Sequence, residues 1–261
     1  MSKIEDYILR MTGNEFKVPC LLMSFILTLC ALPQVGYAYA FKKDGIYYNY
    51  LSFKDKTVEV TFKYYLKFWP SNDDCNYTYK GNLIIPSTVK HNGVVYTVKR
   101  IGDNAFFKNY KLTSVMIPEG VTSLGISCFD MCYGIKHIKC PQSLRTIEYN
   151  AFAESGLHEI EIPSNVILLD EMAFVGCLAL KKVSFTNRIP ILPERIFDGC
   201  VVLDSVEMSN TTKVVMPSAF SYCKNLQTII LSDSLTYIDS CAFECCENLK
   251  KIVIPKSLTE N

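Results

Sequence analysis

From residue 101 onward the apolar positions recur at a fixed spacing. A phenylalanine stands at 106, 129, 152, 174, 197, 220 and 243, at intervals of 23, 23, 22, 23, 23 and 23 residues. Ala precedes it at 105, 151, 173, 219 and 242, and Cys128 and Ile196 fill that place in the other two units. Five residues before each phenylalanine comes an aliphatic: Ile101, Leu124, Ile147, Leu169, Leu192, Val215 and Ile238. Six residues after it comes Leu112, Ile135, Leu180, Leu203, Leu226 or Leu249, with Leu157 one place early in the 22-residue unit. Two further apolar columns follow. One holds Val115, Ile138, Ile160, Val183, Val206, Ile229 and Ile252, the other Ile117, Cys140, Ile162, Phe185, Met208, Leu231 and Ile254.

Self-similarity at this period is the signature of a solenoid. The L-x-x-I-x-I stretch alternates with period 2 and predicts a short strand with one buried face. Pro118, Pro141, Pro163 and Pro255 then end the strand by removing a ladder donor. The segment around Ala-Phe predicts a tight turn or a short helical piece that returns the chain. One unit cannot cover its own apolar face, so the units must stack as a quasi-one-dimensional array with a parallel sheet.

The motif resembles the leucine-rich repeat of the BspA type, also called the Treponema pallidum type, of form IG-x-x-AF-x-x-C-x-x-L-x-x-I-x-IP. Ile101 to Pro118 reads IGDNAFFKNYKLTSVMIP and Ile238 to Pro255 reads IDSCAFECCENLKKIVIP. The resemblance covers residues 101–260 as seven units and, with its lead-in, reaches back to about residue 83. Departures are the shortened unit at Gly156, and Thr186, Ser209 and Ser232 in place of Pro. The implied fold is an α/β leucine-rich-repeat solenoid with a parallel β-sheet face, assigned to residues 98–261.

Residues 41–97 follow another pattern and are expected to form an N-terminal β-hairpin cap. Gly45–Phe53 and Thr57–Tyr65 are aromatic and β-branched around Lys54-Asp55-Lys56, which predicts one hairpin. A second is expected from Leu83-Ile84-Ile85 through Asn92-Gly93 to Val94-Val95-Tyr96. Solenoids need such a cap over the first repeat. The other reading of this segment makes Tyr47, Tyr48, Tyr64, Tyr65 and Trp69 a contact surface for carbohydrate or protein. Residues 1–40 are expected to be a signal peptide, with the apolar run Val18 to Leu32 and the small-x-small site Ala38-Tyr39-Ala40. An uncleaved membrane anchor is the alternative.

Composition narrows the function. Lys+Arg total 27 against 26 Asp+Glu, with no clustered basic surface of the kind nucleic acid demands. His91, His137 and His158 are the only histidines, and no G-x-S-x-G, H-E-x-x-H or P-loop spacing occurs. No catalytic residue, cofactor or metal site is therefore expected, and the chain is expected not to be an enzyme. Five of 12 cysteines (Cys132, Cys177, Cys200, Cys223, Cys246) share one column three places after Phe, which reads as a buried ladder of small side chains. Disulfides are the competing reading in an exported chain.

The exposed strand face follows from the same columns. Ser114, Met116, His137, Lys139, Glu159, Glu161, Lys182, Ser184, Glu207, Ile230 and Val253 form the candidate ligand-contact face. Opposite charges adjoin at Lys139/Glu161 and Glu159/Lys182, so the face reads equally as a solvated sheet with cross-strand pairs. What is known of BspA-like proteins implies a secreted or cell-surface, adhesin-like protein that contacts host matrix proteins, other cells or glycans. The alternative is a structural or scaffolding envelope protein without a soluble ligand.

Overall fold

The computed structural model describes residues 36–37, 39–65, 79–185, 189–252 and 254–259. Most of the expected leader, together with Trp69, Cys75, Thr186 and Val253, lies outside them. The unit from Tyr37 onward is a stack of turns with two parallel ladders.

The front ladder uses the L-x-x-I-x-I strands. Gly81–Ile84, Leu112–Met116 and His137–Lys139 form one sheet; Glu159–Ile162, Lys182–Phe185, Ser205–Glu207, Thr228–Ile230 and Lys251–Ile252 form a second. The rear ladder uses two-residue strands just before each turn, such as Ser123–Leu124, Thr146–Ile147 and Ile191–Leu192. Between the ladders lies the phenylalanine column. Its rings stack at centroid distances of 5.0, 5.4, 5.3, 5.7, 5.5 and 5.3 Å from Phe106 to Phe243. Stacked aromatics bury a large apolar area per turn and add an offset-ring contribution to it.

The return segment is a turn, and among the described residues the one helix is the short Lys256–Thr259. The reason is in the backbone. The residues two before each phenylalanine (Asn104, Ser127, Asn150, Met172, Arg195, Ser218, Cys241) all have φ of 50–57°. The residues two after it (Lys108, Met131, Glu154, Gly176, Gly199, Tyr222, Cys245) are left-handed as well. An L-residue in that region costs roughly 1–2 kcal/mol, and no helix propagates through it. The alternation has a compensation. The N–H groups of Asn104, Phe106 and Lys108 donate to the Ile126, Cys128 and Asp130 carbonyls of the next turn, at 2.9 Å each. The intervening N–H groups of Ala105, Phe107 and Asn109 fold back onto Gly102, Asn104 and Phe106 of their own turn. The forward bonds repeat in every interior turn, so most of the buried main chain there is satisfied without a helix.

The N-terminal segment extends the rear ladder. Thr57–Thr61 pairs in parallel with Val94–Ile101, and Ile46–Ser52 and Phe41–Lys43 follow antiparallel. The second hairpin differs from the one expected: Thr88–His91 pairs with Val94–Ile101 around Asn92-Gly93, whose φ values are 47° and 80°. Leu83 and Ile84 instead join the front ladder beside Val115 and Met116. The Asn-Gly turn sets the register, so the residues immediately before it form the hairpin arm, while Leu83 already fills a repeat column. Tyr47 and Tyr48 are 2% and 1% exposed and belong to the core, which removes them from a contact surface. Tyr79 ends the aromatic stack edge-on against Phe106 at 5.0 Å; its hydroxyl accepts from the Tyr47 N–H and donates to the Thr61 carbonyl.

An ionic cluster ties this end to the solenoid. Arg100 donates to Glu59 of the cap (3.0 Å), to Asp103, and to Glu148 two turns along (2.8 Å). Gly102 and Gly125 make room for it, since a Cβ at either would meet Glu59 or Asp103 and Arg100 within 3 Å.

Candidate ligand-binding face

The front ladder presents two outward columns. In one, Ser114 registers with His137, and Glu159 with Lys182. In the other, Ile84 registers with Met116 and Met116 with Lys139, while Glu161, Ser184, Glu207 and Ile230 follow on successive strands. Met116, His137, Lys139, Glu159, Glu161, Lys182 and Ile230 are exposed; Ser114 and Ser184 are half-buried. Glu207 holds its register place, and Val253 lies outside the described residues.

Six of these residues come together in one groove. His137, Lys139, Glu159, Glu161, Lys182 and Ser184, with Gln142 and Pro163, line a volume of about 490 Å³. The groove sits where the front ladder is interrupted. His158 N–H still donates to the Lys136 carbonyl at 3.1 Å, but no strand pairing joins His137–Lys139 to Glu159–Ile162.

The interruption coincides with the 22-residue unit. The residue missing between Ser155 and Leu157 draws the chain tight against the previous turn. Gly156 N–H bonds the Cys132 carbonyl, and a Cβ on Gly156 would stand 2.1 Å from the Tyr133 carbonyl oxygen. The strand that follows starts one residue early, and His158 takes the place that Lys136 and Lys181 hold in the neighbouring turns. The short interval and its glycine were the sequence signals for this groove; Gln142 carried none of its own.

The expected cross-strand charge pairs do not close. Among the described residues no ion pair joins Lys139 to Glu161 or Glu159 to Lys182; the ion pairs formed elsewhere include the Arg100 cluster, Arg195–Asp198 and Lys224–Glu247. Four charges thus face solvent around one groove. The rings of His137 and His158 approach edge-on at 6.0 Å. Among the described residues no group of three or more His, Cys, Asp or Glu side chains is placed to hold one metal ion.

The cysteine column points inward. Cys132, Cys177, Cys200, Cys223 and Cys246 each donate Sγ–H to the carbonyl of the phenylalanine one turn back, at 2.9–3.2 Å. The described cysteines are free thiols. Burial pushes the Cys140 thiol up to about 12 and those of Cys128, Cys132, Cys200 and Cys223 upward too, which suppresses thiolate chemistry. Cys241 and Cys245 are exposed, and Glu244 raises the Cys241 thiol.

Among solved structures, a leucine-rich repeat protein from Bacteroides ovatus matches at 26% identity and a TM-score of 0.58, over 84% of this chain and 60% of its own. The chain therefore spans about three-fifths of that protein's length. The T. pallidum leucine-rich repeat protein TpLRR shares the fold at 22% identity and a TM-score of 0.62, over 80% of this chain and 90% of its own. A third, from Eubacterium ventriosum, matches at 23% identity and 0.55, over 62% of this chain and 56% of its own. Comparison with curated proteins gives no match. Among the described residues no helix is long and apolar enough to cross a membrane. The model of the BspA type leucine rich repeat region matches residues 87–180 and 145–261 in six copies. This chain belongs to that family of leucine-rich repeat proteins.

Proposed function

We propose that the protein is an exported, cell-surface or secreted binding protein whose front sheet face contacts a protein or glycan on a host or neighbouring cell. It performs no catalysis and needs no cofactor. The observation that carries this reading is the set of unpaired charges around the groove, since a sheet face built only for stability would close Lys139/Glu161 and Glu159/Lys182 into ion pairs. Residues 1–40 direct export and are removed after Ala40, and residues 41–97 shield the first repeat. A panel of immobilised matrix proteins, glycans and whole cells tests the reading. The purified chain should be retained by at least one member, and a variant with Glu159→Lys, Glu161→Lys and Glu207→Lys should be retained less. Retention by none rejects it. Mass measurement of the protein recovered from culture should give a chain beginning at Phe41.

A structural role in the envelope is the second reading, favoured by the rear ladder. Ile167, Leu168, Ile191 and Tyr237 expose apolar surface on three of the later turns there, where the earlier turns present Arg100, Ser123 and Thr146. Lateral packing through that stripe predicts self-association of the purified chain, which sedimentation detects.

A further inference from the structure

The groove at the short repeat has a charge pattern specific enough to name its ligand. Its central strand carries Glu159 and Glu161, two residues apart on one face and hence about 7 Å from each other. The strand on one side contributes Lys182, in register with Glu159 and roughly 5 Å away at sheet spacing, and Lys139 lines the groove from the other side. The pattern is cationic, anionic, cationic along the solenoid axis. Its floor is formed by Ile138, Cys140 and Ile160. A ligand complementary to that lining carries ionised groups of both signs a few ångströms apart, as the side chains of a peptide do.

We propose that this groove selects an extended peptide segment of a partner protein, laid across the strands with one basic side chain over Glu159 and Glu161 and an acidic side chain towards each of Lys139 and Lys182. The inference rests on the reading of the front face as a binding surface and assigns its ligand class. A glycan without ionised groups leaves all four charges uncompensated. A uniformly acidic or basic segment is repelled by half of them.

The test uses two fluorescently labelled heptapeptides and the full chain. One peptide places acidic residues on either side of a lysine, with glycines between; the other inverts every charge. Anisotropy titration at low ionic strength should show saturable binding with roughly five- to tenfold preference for the acidic–basic–acidic peptide, the effect of two or three exposed charge pairs. A variant carrying Lys139→Glu, Glu159→Lys, Glu161→Lys and Lys182→Glu should prefer the inverted peptide. If that variant does not fold, as judged by circular dichroism, Glu161→Gln alone should reduce the preference at least twofold. Equal affinity for the two peptides, no saturable binding up to millimolar concentration, or a preference unchanged in the variants overturns the proposal. Retention of the chain on a matrix or glycan surface, together with such a failure, leaves the wider binding function standing and removes only this ligand class.

Discussion

The two ends of the aromatic stack are built from the same repeat and finished differently. At the N-terminal end Phe106 has Phe129 on one side and Tyr79 on the other, and Tyr79 is itself hydrogen-bonded to the cap. At the C-terminal end Phe243 stacks on Phe220 but is only half-buried, as are Ile238, Cys246, Leu249 and Ile252 around it. In a repeat array each unit's stability depends on its neighbours' interfaces as much as on its own sequence. The same phenylalanine should therefore contribute differently according to how many faces are covered.

The largest test of this contrast is truncation. Phe152→Ala, in the middle of the stack, should lower stability by about 3–5 kcal/mol, and Phe106→Ala should be close to it because Tyr79 completes its surroundings. Phe243→Ala should cost about 1 kcal/mol. Urea unfolding monitored by circular dichroism measures all three, and an equal loss at 106 and 243 would refute the account of the cap. Gly156→Ala is the next largest. Its Cβ meets main chain, which cannot rotate aside, so a loss of about 1–3 kcal/mol is expected.

A smaller effect compares one column inside the stack and at its end. Asp130 is buried, and that burial, with Glu154 nearby, pushes its carboxyl from the usual 3.8 up to about 6 against the opposing influence of Ser127 and Lys108. The folded state then binds the proton first. Stability should fall as pH rises through 6, with the advantage complete below about pH 4. Asp130→Asn should flatten that dependence and raise stability at neutral pH by roughly 1–2 kcal/mol. Glu244 fills the same column of the last turn and is exposed, so Glu244→Gln should change stability by less than about 0.5 kcal/mol. The mildest test leaves the fold intact. A thiol reagent should label Cys241 and Cys245 within the native protein, Cys246 more slowly, and Cys132, Cys177, Cys200 and Cys223 only on unfolding, as peptide mass mapping would show.

The solenoid, its sheet face and the inward cysteine column were legible because each rests on a column repeated every 23 residues. Repetition turns a weak local preference into an unmistakable one. Features that occur once were harder to read. Leu83 looked like a hairpin arm because its run of aliphatics fits either role, and only the ladder contact with Val115 decides between them. Tyr79 carries no periodic mark, standing 27 residues before Phe106. The left-handed positions were hidden because Asn, Ser, Met, Arg and Cys share them, and the constraint lies in the backbone of the neighbouring turn. The candidate face was legible as a set of columns. Its concentration into one groove depended on a single missing residue, whose consequence for the ladder is geometric.

The main-chain bonds between turns also give the stack a polarity. Asn104, Phe106 and Lys108 donate forward, and every interior turn accepts from behind and donates ahead in the same way. A whole turn copied into the gene therefore enters the array with its forward and backward main-chain bonds matched, whereas a single deleted residue has to be absorbed within one loop, as it is at Gly156. Lineages carrying this architecture are free to lengthen or shorten by complete units. An irregularity such as the one at Gly156 stands out against such an array as a local alteration of the surface.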